Sequence, residues 1–179
     1  MVEESTPPPT GPKGVLAIGA FGSGKTSVIQ EIADVLEERD LPYAALDLDW
    51  LAWFHGSSSG EPSHHRMLLT NLADVVENYL AAGVRFFVLA RSLRDRHELD
   101  QLRGQLPMRL TVVGLNVPLE VIEKRLSSNV TSARSKDLAE VREWIATSSG
   151  LGIADMTVEN DRPLREVATD ILDRLAWLV

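Results

Sequence analysis

Gly19-Ala20-Phe21-Gly22-Ser23-Gly24-Lys25-Thr26 satisfies the pattern G-x-x-x-x-G-K-[ST] at every fixed position. The glycines allow a turn tight enough for consecutive backbone N–H groups to face one anion. Lys25 adds a mobile positive charge for the β- and γ-phosphates of a nucleotide, and Thr26 offers a hydroxyl to Mg²⁺. Before the loop, Val15-Leu16-Ala17-Ile18 has the character of a buried strand. After it, Val28, Ile29, Ile32, Val35 and Leu36 recur at helical spacing. Strand, glycine-rich turn and helix together predict a phosphate-binding loop. Its expected nucleotide contacts are Gly19, Ala20, Phe21, Gly22, Ser23, Gly24, Lys25, Thr26 and Ser27.

A chain of 179 residues is expected to form one domain with its own core. There are no cysteines, so disulfides, thiolate chemistry and Cys-built zinc sites are excluded. The net charge of −8, from 18 basic and 26 acidic residues, argues against a broad nucleic-acid surface. No segment resembles a signal peptide, and no apolar run approaches membrane-spanning length, so a cytoplasmic protein without membrane contact is expected. The oligomeric state, monomer or homodimer, is left open.

Residues 1–12, with three consecutive prolines and few apolar side chains, are expected to be a disordered leader. From residue 13 to 179, strands and helices alternate. Strands are predicted at Val15–Gly19, Tyr43–Asp49, Arg85–Arg91, Leu110–Asn116 and Met156–Glu159. Helices are predicted at Thr26–Arg39, Pro62–Ala82, Leu93–Leu106, Pro118 to about Ser127, Ser135–Ala146 and Pro163–Leu178. The unbroken apolar run Phe86-Phe87-Val88-Leu89 suits a parallel strand covered on both faces. The expected fold is therefore α/β: a three-layer nucleoside-triphosphate-binding domain with a mainly five-stranded parallel sheet. Right-handed crossovers bring the strand C-termini, and the loop, to one edge.

A phosphate-binding loop needs a carboxylate to help fix Mg²⁺. The third strand ends Leu89-Ala90-Arg91 without one; the second ends Leu46-Asp47-Leu48-Asp49-Trp50. On an extended strand, Asp47 and Asp49 would point to the same side. One carboxylate suffices beside Mg²⁺, which keeps several waters. The other is then available to orient an acceptor hydroxyl and take its proton. The bland alternative is that both acids merely end a strand at the solvent edge.

Phosphoryl transfer spreads negative charge over the equatorial oxygens, so an arginine that reaches them stabilises the transition state. Arg125, near the end of the helix after the fourth strand, and Arg134, in the small polar stretch Asn129–Asp137, are the candidates; Lys136 accompanies them. The competing reading is a pair of solvated helix-end arginines. Arg91 ends the third strand, from which it either contacts an anionic substrate group or pairs with Asp47 or Asp49. Trp50, Trp53, Phe54 and His55 follow the paired acids directly and offer a flat apolar wall, unless Trp50 and Phe54 belong to the core. His64 and His65 are adjacent and cannot share one helix face, which argues against a metal site there.

The loop, the D-x-D of the second strand and the arginine-bearing segment together resemble the small P-loop kinases, the group of adenylyl-sulfate, shikimate and gluconate kinases and chloramphenicol phosphotransferase. The resemblance covers element order over about residues 13 to 179. It implies ATP as donor and Mg²⁺ as cofactor, with Asp47 near the metal and Asp49 on the acceptor hydroxyl. It also implies a lid around residues 127–137, an acceptor pocket bordered by Trp53 and its neighbours, and adenine beside Asn160, Arg162 and Pro163. The expected activity is transfer of the γ-phosphoryl group to a hydroxyl of a small molecule. The chain has Asp47-Leu48-Asp49 where adenylyl-sulfate kinases usually carry D-G-D, and the acceptor is unassigned. The alternative is a nucleotide-dependent ATPase or switch working with a protein partner. Against it stand the acid-free third strand and the lack of the N-K-x-D guanine signature.

Overall fold

The computed structural model describes residues 11–55, 64–93, 95–127, 141–142 and 151–178. Five strands, β1 (Lys13–Ile18), β2 (Tyr43–Asp47), β3 (Phe86–Ala90), β4 (Arg109–Asn116) and β5 (Met156–Glu159), form one sheet in the order β2-β3-β1-β4-β5. Every neighbouring pair is parallel. The helices are α1 (Lys25–Glu37), α2 (His64–Ala81), α3 (Arg96–Gly104), α4 (Leu119–Ser127) and α5 (Leu164–Arg174), with short 3₁₀ turns at Leu48–Ala52 and Leu151–Ile153.

Alternation along the strands sends successive side chains into two cores, one on each face. Val15, Ala17, Val88, Ala90, Val113 and Leu115 meet Val28, Ile32 and Leu36 of α1 and Val167, Ile171 and Leu172 of α5. Leu16, Ile18, Phe87, Leu89 and Val112 meet Leu68, Leu72 and Val76 of α2 and Leu99 and Leu102 of α3. Each fully buried Val, Leu, Ile or Phe among them contributes about 1.5–3 kcal/mol. A third cluster, Ala20, Val117, Ile122, Leu126 and Val141, lies beneath the phosphate-binding loop. The expected three-layer α/β architecture is what the structure shows.

Several predicted boundaries shift for local reasons. The second strand stops at Asp47 rather than Asp49, because the Asp47 carboxylate accepts a hydrogen bond from the Asp49 N–H (3.2 Å) and caps a 3₁₀ turn. The third helix starts at Arg96, not Leu93: Leu93 is buried, and Asp95 caps the helix by accepting from the Glu98 N–H (2.9 Å). The last helix ends at Arg174; Ala176 takes a left-handed φ of 51° and Trp177 folds back into the core. The predicted leader, residues 1–12, lies outside the described residues apart from its last two positions. The predicted helix Ser135–Ala146 also lies outside them, apart from Val141 and Arg142, which are helical.

Candidate active site

The C-terminal ends of β1, β2 and β3 and the first turn of α1 converge on the loop of residues 19–26. Gly22 and Gly24 have φ values of 78° and 91°. A Cβ on Gly24 would sit 2.8 Å from Asn160 Nδ2, so this position demands glycine both for its conformation and for its space. Gly24 also caps α1, which has neither a side-chain cap nor an acid in its first turn. The N–H groups of that turn thus have no side-chain acceptor at the cap, an arrangement suited to an anion.

A cleft of about 520 Å³ opens over this loop. Phe21, Gly22, Gly24, Lys25, Thr26 and Ser27 line it from the loop side, Asp47 and Asp49 from β2 and its turn, Arg125 from α4, and Asn160 and Arg162 from the segment after β5. Elements far apart in the chain therefore meet around one opening. Leu126 and Leu164 complete the lining. They escaped the sequence reading because an apolar residue of an amphipathic helix carries no mark that it faces a cleft.

Asp47 holds the two halves of the site together. Thr26 Oγ1 donates to Asp47 Oδ2 at 2.7 Å, while Asp47 Oδ1 accepts from the Asp49 N–H. A hydroxyl and a carboxylate side by side are hard oxygen donors that fit Mg²⁺. Asp49 reaches the cleft from the 3₁₀ turn rather than from strand alternation, which corrects the expectation of two acids on one extended segment. Arg91 Nη1 donates to Asp49 Oδ1 at 3.2 Å, so the expected pairing of Arg91 with one of the acids is the arrangement present. Burial of its inner side raises the Asp49 carboxyl above the usual range, opposed by Arg91, while Asp47 raises it further and Lys25 lowers it. The side chain is 62% exposed, so water screens these influences.

Lys25 Nζ donates to the carbonyls of Gly19 (3.1 Å) and Ala20 (3.0 Å). Burial brings its pKa down to about 8, partly offset by Asp49 and then Asp47. Ser92, which the sequence reading passed over, donates from Oγ to the same Gly19 carbonyl at 3.1 Å. Only its place after the third strand pointed toward it.

Behind the loop, the Ser23 carbonyl accepts from Asn160 Nδ2 (2.7 Å) and Arg125 Nη1 (3.2 Å), and Arg125 Nη2 donates to the Asn160 carbonyl (2.8 Å). Asn160 is fully buried. Its amide braces the loop from the cleft wall. Arg125 stands at this brace and lines the same cleft as the two acids. Arg162 is anchored by Asp170, at 2.5 Å, and Pro163 sits exposed at the start of α5. Arg134, Lys136 and nearly all of the expected lid lie outside the described residues.

Trp50 and Trp53 are not core residues: they are 66% and 74% exposed and stack on each other, with ring centroids 4.7 Å apart. Phe54 is half-buried and stacks on His64. His65 pairs with Gln101 at 2.7 Å, and no cluster of three metal-ligating side chains occurs among the described residues. No helix among them is long and apolar enough to cross a membrane.

No family model matches the chain, and no curated protein matches it. Solved structures do. An unliganded sugar kinase from Janibacter sp. is 23% identical, with 92% of this chain and 95% of that one covered and a TM-score of 0.65. An APS kinase from Mycobacterium tuberculosis, in complex with AMPPNP and APS, is 22% identical over 94% of this chain and 99% of that one, with a TM-score of 0.65. A shikimate kinase from Acinetobacter baumannii, in complex with shikimate, is 20% identical over 94% and 95%, with a TM-score of 0.54. These are small P-loop kinases, and this chain has their fold.

Proposed function

We propose that the protein is an ATP-dependent kinase that transfers the γ-phosphoryl group to a hydroxyl of a small-molecule acceptor. The observation that carries this reading is the Thr26–Asp47–Asp49 arrangement. One carboxylate bonds the loop threonine, and the next, two residues on, stands in the same cleft, held by an arginine. The fold shared with a gluconokinase and with kinases that bind APS and shikimate supports it.

In this reading the loop amides and the α1 N-terminus hold the ATP phosphates. Lys25 leaves the Gly19 and Ala20 carbonyls for the β- and γ-oxygens. Thr26 and Asp47 would hold Mg²⁺, which when bound neutralises phosphate charge. Asp49 accepts the proton of the acceptor hydroxyl as its oxygen bonds the γ-phosphorus and the bond to the β-phosphate oxygen breaks, leaving ADP. Arg91 keeps the Asp49 carboxylate aimed and ionised. Arg125 and Arg134 remain the candidates to cap the developing charge; for Arg125 this requires giving up the Ser23 and Asn160 carbonyls. Arg162 and Pro163 flank the nucleobase, Asn160 supports it from behind, and residues 127–137 act as the lid. The working location is the cytoplasm.

The test is to incubate the protein with ATP, Mg²⁺ and pooled hydroxyl metabolites and to look for a phosphorylated product by mass spectrometry. A phosphorylated alcohol that disappears with Lys25→Ala is the expected result. ATP hydrolysis stimulated only by a partner protein, with no phosphorylated alcohol, would assign the chain to the switches instead.

A further inference from the structure

Within the phosphate-binding loop, the orientation of the Ser23–Gly24 peptide is held from outside the loop. Gly24 accepts either sign of φ, so this peptide can turn over at little steric cost. Two distant donors oppose that. The Ser23 carbonyl takes one hydrogen bond from Asn160 Nδ2 at 2.7 Å and another from Arg125 Nη1 at 3.2 Å, which uses both of its lone pairs. All peptides of the described residues are trans, and in a trans peptide the C=O and N–H point opposite ways. Fixing the Ser23 carbonyl on Asn160 and Arg125 therefore turns the Gly24 N–H away from them. Gly24 lines the cleft, and its N–H bonds no other backbone group of the described residues.

Asn160 is anchored to the sheet, not to the loop. It follows β5 directly, and its own N–H donates to the Asn116 carbonyl at the end of β4 at 2.9 Å. Its side chain is fully buried, yet Oδ1 has no hydrogen-bond partner among the described residues. A buried amide satisfied at one end only costs stability, so an apolar side chain would serve the core better. What the amide supplies is one donor aimed at one carbonyl. Turning it over would set oxygen against oxygen, so a single orientation is allowed.

We propose that Asn160 is a positioning residue of the phosphate cradle: it holds the Ser23–Gly24 peptide in the orientation that offers the Gly24 N–H to a nucleotide phosphate. It acts on the donor through the loop, without touching the phosphates. The inference rests on the nucleotide-binding part of the kinase reading, not on transfer to an alcohol.

The experiment titrates the full chain with inorganic tripolyphosphate and with AMPPNP, each with Mg²⁺, by calorimetry. Tripolyphosphate carries the phosphates without a base. The variants are Asn160→Leu, which keeps the approximate shape but not the donor, and Asn160→Ala. Both ligands should weaken by the same factor, about 10–100-fold, as expected for one hydrogen bond to a charged group. In the wild type, the Gly24 amide proton resonance should move downfield when tripolyphosphate binds, and the variants should lose that shift. A loss confined to AMPPNP would make Asn160 a base contact and overturn the proposal. Unchanged Kd values beside a lowered Tm would make it a purely structural residue, with the same consequence. Where neither variant folds, the wild-type resonance decides: its downfield shift supports the proposal, and its absence overturns it. Failure of the wild type to bind either ligand would sink the nucleotide reading and the proposal together. A chain that binds both ligands but phosphorylates no alcohol loses the kinase reading alone.

Discussion

Thr26 and Asp47 hydrogen-bond at 2.7 Å although the strand that leads into the loop, β1, and the strand that ends in Asp47, β2, are not neighbours. β3 lies between them, and in its register Asp47 is level with Ala90 and Ala90 with Ala17. A fully buried alanine, Ala90, ends the intervening strand. Asp47→Asn keeps the size but removes the charge. It should lower kcat by about 10²–10³-fold, in the range of losing one preorganised electrostatic contact, and raise the Mg²⁺ concentration required. Steady-state kinetics over a Mg²⁺ titration check this, with thermal denaturation showing that the fold persists.

Asp49→Asn should abolish most transfer, by about 10²–10⁴-fold, while MgAMPPNP affinity measured by calorimetry stays near wild type. Full activity of this variant on an identified acceptor would remove Asp49 from its role as base.

Arg91 opposes the upward shift of the Asp49 carboxyl, so Arg91→Ala should raise that pKa further. A base works above its pKa. The acidic limb of the pH–kcat profile should therefore move to higher pH in Arg91→Ala, whereas a purely structural lesion would lower the whole profile without moving it.

With its pKa lowered to about 8, Lys25 is partly neutral in the free protein above that pH. Phosphate oxygens favour its charged form and raise the pKa in the complex. Nucleotide binding near pH 8–9 should then take up a proton, and Kd should rise with pH above about 8. For folding the sign is opposite. The folded-state pKa lies below the unfolded one, so burying the charged lysine lowers stability below about pH 8, and that penalty is relieved as pH rises toward the unfolded value. Calorimetry of AMPPNP binding in buffers of different ionisation enthalpy detects the proton directly.

Gly24→Ala would place a Cβ 2.8 Å from Asn160 Nδ2 on a backbone with φ of 91°. Strain of this kind costs about 1–3 kcal/mol, and the displaced Asn160 amide would also loosen its bond to the Ser23 carbonyl. A lowered Tm and weakened AMPPNP binding are expected together. A variant that melts like the wild type would show that the loop does not depend on this close approach.

Much of this was legible in the chain itself. The loop is contiguous, and its glycines, Lys25 and Thr26 carry their chemistry wherever the motif is placed between a strand and a helix. Apolar runs and helical spacing located the five strands of a sheet buried on both sides, since burial imposes period two on strands and about 3.6 on helices. Asp47, Asp49 and Arg91 could be singled out because charged residues at the ends of apolar strands have nowhere to go but the sheet edge. The tertiary structure decided what depends on distance across the sheet. It placed β3 between the partners Thr26 and Asp47, turned the chain at Asp47 so that Asp49 arrives from a 3₁₀ turn, and left Trp50 and Trp53 in solvent. It also drew Arg125 and Asn160, 102 and 137 residues away, onto the Ser23 carbonyl. Local sequence sets which atoms are offered, because propensity and hydrogen-bonding capacity reside in each residue. Which atoms meet is set by sheet order and crossover packing, and these minimise the free energy of the whole chain rather than of any one segment.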